Sequence, residues 1–276
     1  MTTERRSTAF SWALIVFGLA AALGLLLGGQ RLAAAMTVDS LAGAITLFYV
    51  LLFAPLIVLA LVLGRIERRR VLRGGMAPGR WSAIGLGLGV GGLLACVAYV
   101  ALHGGLRPAT HDPVPAWFLA LGLAITALQV LAEEALFRGW LLAALETLAG
   151  GPLAVLLSAL AFSAFHLVGG ASGAISLTNL MLGGIWFALL AQRSGGILAP
   201  FAAHFGWNVA EDIGLGLVPN PGSGEFGALA DHDMIGSPLW GGADEGLNAS
   251  IAMTVVLVAL LVPLLPVFSR RAAARL

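Results

Sequence analysis

Residues 131–140 read LAEEALFRGW. Two adjacent glutamates, Glu133 and Glu134, and one arginine, Arg138, stand inside an otherwise apolar run from Ala116 to Leu145. That run exceeds the roughly 20 apolar residues that carry a helix through a bilayer. The stretch therefore predicts a membrane-spanning helix with three ionisable groups within it. A charge at the centre of such a helix costs about 2.5–3.5 kcal/mol on insertion scales. Ionisable side chains placed there are candidates for function.

The chain around it has the same character. It has 276 residues, 59% hydrophobic and 11% charged, with a mean hydropathy of +0.95; a soluble domain carries about 25% charge. Eight apolar runs, 9–29, 41–63, 82–102, 116–145, 153–168, 173–191, 197–217 and 250–268, predict an all-α polytopic membrane bundle of about eight transmembrane helices. The first run is too long for a signal-peptide core and reads as a retained span. All fifteen basic residues are arginine. With the N-terminus inside, the inner segments hold Arg5, Arg6, Arg65, Arg68, Arg69, Arg70, Arg73, Arg80, Arg193, Arg270, Arg271 and Arg275, and the outer segments only Arg31 and Arg107. That asymmetry predicts both termini on the cytoplasmic side. Arg65–Arg73 reads as a topology anchor, with an anionic-lipid patch as the alternative.

Residues 1–115 form an N-terminal group of spans with a basic loop, 116–217 a core, and 218–276 an outer loop and last span. The outer loop, 218–248, is rich in Gly and Pro and carries Glu225, Asp231, Asp233, Asp244 and Glu245. A net charge of +1 and the lack of a basic cluster with interleaved aromatics leave no sign of a nucleic-acid partner. The single cysteine, Cys96, makes no internal disulfide and reads as a small buried residue. GLGLGVGG at 85–92 contains G-x-G-x-x-G at Gly87, Gly89 and Gly92. A dinucleotide site needs a strand before that motif and a helix after it; inside a span, it reads as close helix packing through small residues.

The polar groups within the core then converge. Glu134 and Arg138 are one turn apart with the acid on the N-terminal side, the favourable order for a supporting pair. Glu133 lies about 100° around the helix, on a face with Thr126, Gln129, Phe137 and Trp140 that reads as a cavity wall. Ser158, Phe162 and His166 share a face in the next run. Glu133 and His166 both lie about 25 Å of helix from a turn at Gly150–Gly151, so an antiparallel hairpin sets them at one level. In APFAAHFGWNVAED, His204, Asn208 and Asp212 repeat every four residues, with Glu211 beside them and a helix kink expected at Pro200.

These residues resemble the CPBP family of intramembrane proteases, which includes the CaaX prenyl endopeptidases and the bacterial Abi-type proteins. That family carries E-E-x-x-x-R, F-x-x-x-H and H-x-x-x-N on three core helices, here Glu133–Arg138, Phe162–His166 and His204–Asn208. The resemblance covers roughly 116–217. It implies peptide-bond hydrolysis in a membrane cavity, on a membrane-associated peptide or protein, by a multi-pass protein of a bacterial cytoplasmic membrane. Glu133 would match the water-activating glutamate. His166, His204 and Asn208 would match the groups that position water and stabilise the oxyanion, and Glu134 and Arg138 the supporting pair. GGADEGLNAS at 241–250 loosely resembles a Gly-Gly stretch of bacterial members and receives no role. Two histidines and a glutamate are also a zinc set, which would be Glu133, His166 and His204. Without an H-E-x-x-H motif the preferred reading is metal-free, with no cofactor required. Two rivals are a proton-coupled transporter, with Glu133, His166 and His204 as the relay, and a non-catalytic scaffold or immunity protein. The absence of repeated halves weighs against the transporter.

Overall fold

A computed structural model describes residues 7–110, 114–219, 226–241 and 244–265. Helices dominate: α1 (Thr8–Ala35), α2 (Leu41–Ile66), α3 (Pro78–Leu102), α4 (Ala116–Glu134), α5 (Leu142–Ala149), α6 (Gly151–Phe165), α7 (Ala174–Ser194), α8 (Leu198–Val209) and α9 (Ile251–Leu261). A π-helical segment, Ala135–Leu141, joins α4 to α5 in one rod. The eight apolar runs thus become eight helical rods among the described residues. Five of them, Thr8–Ala35, Leu41–Ile66, Pro78–Leu102, Ala116–Ala149 and Ala174–Ser194, are long and apolar enough to cross a membrane. Gly151–Phe165 and Ile251–Leu264 are shorter apolar helices. Arg5, Arg6, Glu225, Arg270, Arg271 and Arg275 lie outside the described residues.

The rod ends follow from local chemistry. Ser7, Ser40 and Ser250 cap α1, α2 and α9 by accepting from the backbone N–H of Phe10, Gly43 and Met253. Gly150, at φ 80°, makes the predicted reversal between α5 and α6. Lone large apolar side chains face outward, among them Val16, Phe17, Val58 and Val62. Exposed apolar faces of that extent suit lipid rather than water.

Several boundaries differ from the sequence reading. The run 153–168 ends as helix at Phe165, and His166 is its C-cap. The run 197–217 is α-helix only to Val209, then π-helix over Ala210–Gly214. Pro200 makes no mid-helix break, because it is the third residue of α8, where the N–H it lacks would have no intrahelical acceptor. The outer segment is not purely helical or irregular: Leu106–Pro108, Leu217–Val218 and His232–Met234 form a three-stranded sheet with the last strand in the middle. Arg107 Nη2 donates to Asp233 Oδ2 across it at 2.7 Å.

The packing of α3 on α8 is the most extensive between any two helices. A Cβ on Gly85 would run into the Ala199 carbonyl, one on Gly89 into the Ala203 carbonyl, and one on Gly92 into the Trp207 ring at 2.9 Å. Gly87 and Gly91 face open space. The glycine run is therefore a small-residue seam, as read from sequence, and it brings the backbone of α8 against α3. Leu at Gly89 should lower the melting temperature and folded yield in detergent, since overpacking costs about 1–3 kcal/mol or more. Leu at Gly87 should melt within a degree or two of wild type, and equal losses at both positions would exclude the seam.

Candidate active site

The centre of the site is one carboxylate oxygen. Glu134 Oε1 accepts from Arg138 Nη1 at 2.8 Å and pairs with His204 Nδ1 at 3.0 Å. The side chains of Glu134 and Arg138 are fully buried. A carboxylate offers no proton, so Nδ1 carries the hydrogen and the other ring nitrogen, Nε2, is left free to act. Arg138 Nη2 reaches the Gly184 carbonyl at 3.4 Å. Its guanidinium lies 4.3 Å from the Phe162 ring centre and 5.1 Å from that of Phe187, a desolvated arrangement in which cation–π attraction reaches about 2 kcal/mol. His204 stacks on Phe187 with ring centres 4.6 Å apart and planes 20° apart. Helices α4, α6, α7 and α8 and the π-helical segment all meet around this group.

Glu133 is held differently. Gln129 Nε2 donates to its Oε1 at 3.2 Å. Its Oε2 is buried, has no hydrogen-bond partner, and lies 3.8 Å from His204 Nε2. The two adjacent acids thus meet different atoms of one imidazole. His166 Nδ1 donates to the Phe162 carbonyl at 2.8 Å, which leaves Nε2 as the ring nitrogen for other contacts. The His166 ring packs on Phe162, centres 4.6 Å apart, and the same Phe162 ring lies 6.1 Å from that of His204. Asn208 is half-buried one turn beyond His204. No hydrogen bond joins it to the acids or histidines among the described residues.

The expected cavity wall around Glu133 does not include Trp140. The π-helical segment widens the turn after Glu134, and Trp140 ends fully buried on another side, against Gly18 and Leu63. Its indole donates to Glu67 Oε2 at 3.0 Å. Phe137 packs edge-on against Phe162, with centres 5.3 Å apart, and Ser158 Oγ donates to the Phe137 carbonyl at 3.0 Å. Phe187 and the Gly184 carbonyl were not legible as site groups, because nothing polar marks them in an apolar run. Asp212 and Glu211 are buried in the π-helical end of α8 rather than on the stripe with His204.

A zinc ion held by Glu133, His166 and His204 would need their donors to converge. Among the described residues no three His, Cys, Asp or Glu side chains stand where they could share an ion. As arranged, the set does not fit zinc.

A second feature steadies the loop after His166. Glu245, in the stretch given no role from sequence, accepts from the N–H of Gly173 at 2.9 Å and of Ser172 at 3.3 Å. Gly242 and Ala243 of that stretch lie outside the described residues. Partial burial pushes the Glu245 carboxyl up, but the Ser176 hydroxyl nearby and the Gly173 and Ser172 donors outweigh it and hold it below the usual glutamate range. A lowered acid stabilises its contact above its unfolded pKa and loses that contribution as pH falls through the folded value. Hydrogen exchange at Ser172 and Gly173, corrected for intrinsic rates, should therefore stay slow from neutral pH down through the ordinary glutamate range and quicken only below it. In Glu245→Gln it should be faster at neutral pH as well; unchanged exchange in that variant would remove the latch.

The buried pair gives a stability prediction. Arg138→Ala leaves Glu134 with an uncompensated charge, which costs about 3–5 kcal/mol. Folded yield and melting temperature should both fall, and the double change Glu134→Gln with Arg138→Gln should recover part of the loss. A variant Arg138→Ala that melts like wild type would show that the pair carries no structural weight.

Residues 115–210 match the family described as type II CAAX prenyl endopeptidase Rce1-like. No curated protein and no solved structure matches the chain. The matched stretch contains all three motifs and every side chain in the Glu134 cluster, so over these residues the chain is similar to that family of prenyl endopeptidases.

Proposed function

We propose that the chain is an intramembrane endopeptidase in which Glu133 activates water to cleave a peptide bond of a membrane-associated protein or peptide. One observation carries the reading: Glu133 Oε2 is buried, accepts no hydrogen bond and faces His204 Nε2 at 3.8 Å. Glu134, by contrast, already serves two donors through one oxygen. Glu134 Oε2 is also buried without a partner, but the Glu134 charge is held by Arg138; a base needs an oxygen within reach of its proton and a charge not already committed, and Glu133 has no arginine paired with it.

In the proposed reaction, water lies between Glu133 Oε2 and His204 Nε2 and donates to both, and His166 lines the cavity beside it. Glu133 takes one proton as the water oxygen bonds to the carbonyl carbon. The Asn208 amide donates to the oxyanion that forms. The C–N bond then breaks, and the proton held by Glu133 passes to the departing nitrogen. Glu134 and Arg138 fix the His204 ring. No step runs through a metal. The surrounding architecture is eight spans with both termini on the arginine-rich side, and residues 116–217 form the catalytic core. The retained Arg31–Arg107 side, poor in arginine, is then the outer face.

Single-turnover cleavage of a membrane peptide by purified variants tests the assignment. Glu133→Gln keeps size and hydrogen bonding but loses the basic oxygen, so it should fold and melt as wild type and lose about 10⁴-fold in rate, the upper end for a general base. Asn208→Ala should lose about 10²–10³-fold, as for one oxyanion donor. If Glu133→Gln cleaves nearly as well as wild type and a folded Glu134→Gln is dead, the two acids have exchanged roles.

Metal content gives an independent check. Purified active enzyme should keep its rate after dialysis against a chelator. Elemental analysis should find well under one zinc per chain. Stoichiometric zinc whose removal stops cleavage and whose return restores it would overturn the metal-free mechanism.

A further inference from the structure

On the far side of Arg138 from Glu133, a cavity of about 560 Å³ opens at the end of the bundle that carries the arginine-rich loop. Arg69, Arg70 and Arg73 line it together with Arg138, and Glu146 and Gln192 form part of the wall. The loop is folded into place rather than trailing. The Ile197 N–H donates to the Arg73 carbonyl at 2.9 Å, the Met76 N–H to the Ser194 carbonyl at 2.8 Å, and Arg69 Nη2 to Thr147 Oγ1 at 2.9 Å. Gly139, on the floor, has no room for a side chain, because the Val71 carbonyl stands 2.6 Å from where its Cβ would be.

The charges in this cavity are unequal. Arg69 has Glu67, 3.4 Å away, and Arg138 has Glu134. Arg70 and Arg73 have no ion-pair partner among the described residues. Arg138 also borders the cavity, but its side chain is fully buried and turned to Glu134, so the charges that face the cavity are those of the loop arginines. A topology anchor needs positive charge on one side of the membrane, but it needs no concave site with three arginines of a folded loop on its wall.

We infer that this cavity is a binding site for a phosphate group, of the kind borne by an anionic phospholipid headgroup. Guanidinium groups match phosphate oxygens through paired N–H donors. Basic pockets between helices at the headgroup level take such groups. The volume exceeds what a bare phosphate needs and falls within the range of small-molecule sites, about 300–1,000 Å³. The site is separate from the proposed chemistry at Glu133 and shares with it only the residue Arg138, whose side chain is turned to Glu134.

The full chain, purified in neutral detergent, is titrated with short-chain phosphatidylglycerol, with phosphatidylcholine and with inorganic phosphate, and bound ligand is counted by native mass spectrometry. One phosphatidylglycerol should be retained saturably and in preference to phosphatidylcholine. Arg70→Gln with Arg73→Gln should weaken it about tenfold or more, given roughly 1 kcal/mol per arginine near an anionic headgroup. Arg65→Gln with Arg68→Gln, in the last turn of α2 and the start of the loop but outside the cavity, should change it about twofold at most on the same scale. Ala143→Phe fills the cavity without changing charge and should also abolish retention. Glu146→Gln removes the opposing charge and should tighten it, which keeps the test decisive if Ala143→Phe fails to fold. If inorganic phosphate displaces the lipid with the same sensitivity to these changes, the phosphate group alone is recognised and a soluble source is sufficient. If only the lipid binds, the source is the bilayer. Equal loss in both arginine pairs, wild-type retention in folded Ala143→Phe, or no preference for either phosphate probe over phosphatidylcholine would overturn the site.

Discussion

Glu134 Oε1 is shared between the Arg138 guanidinium and the His204 ring. Everything else about the core is arranged so that this oxygen can remain buried. An unpaired carboxylate in a dry interior costs several kcal/mol, and one cation at good geometry only partly offsets that. Here the cation comes from the same helix and the second donor from a different one. The ion pair therefore also fixes the rotation of α8 about its axis, because His204 reaches Glu134 only in that orientation. Two aromatic rings, Phe162 and Phe187, close the remaining sides over the guanidinium and the imidazole. They exclude water without adding competing acceptors.

The approach of α8 to the acids depends on residues that lack side chains. Gly85 and Gly89 let the backbone of α3 press on Ala199 and Ala203, and His204 follows directly in the chain. A bulkier seam would move the imidazole away from Glu134 by ångströms, and a hydrogen bond of 3.0 Å tolerates only tenths. The link from small-residue packing to site geometry is therefore direct. It runs through one helix and needs no long-range path.

Much of this was legible before the structure. Apolar runs located the rods, because a span must satisfy its own backbone and so leaves a long hydrophobic signature. The i, i+4 spacing of Glu134 and Arg138 gave their pairing, and the glycine run at 85–92 gave its packing role. The failures have physical causes. Trp140 was assigned to the Glu133 face on α-helical periodicity, but the π-helical segment Ala135–Leu141 changes the angle per residue, and no residue type announces such a segment. Pro200 was read as a kink because its position relative to the helix start depends on where α8 begins. Phe187 and the Glu245 latch lie in stretches with no pattern of their own; only the tertiary fold brings them to His204 and to the loop after His166. The small outer sheet was missed because strands of two or three residues leave no periodicity to count.

Two identical side chains next to each other in sequence nevertheless differ in what they can do, and helix geometry is the reason. Successive residues point about 100° apart, so one helix can offer one acid to a cation and the next to a cavity. Glu134 faces Arg138 and the Nδ1 side of His204, and its Oε1 serves both. Glu133 faces Gln129, which is neutral and satisfies only one of its oxygens, and the Nε2 side of the same ring. A neutral hydrogen-bond partner orients a carboxylate without committing its charge, whereas an arginine both orients and commits it. The EE pair thus places a structural anion and an uncommitted one on opposite edges of a single imidazole. That ring, oriented by the first acid, turns its other nitrogen toward the second, 3.8 Å away.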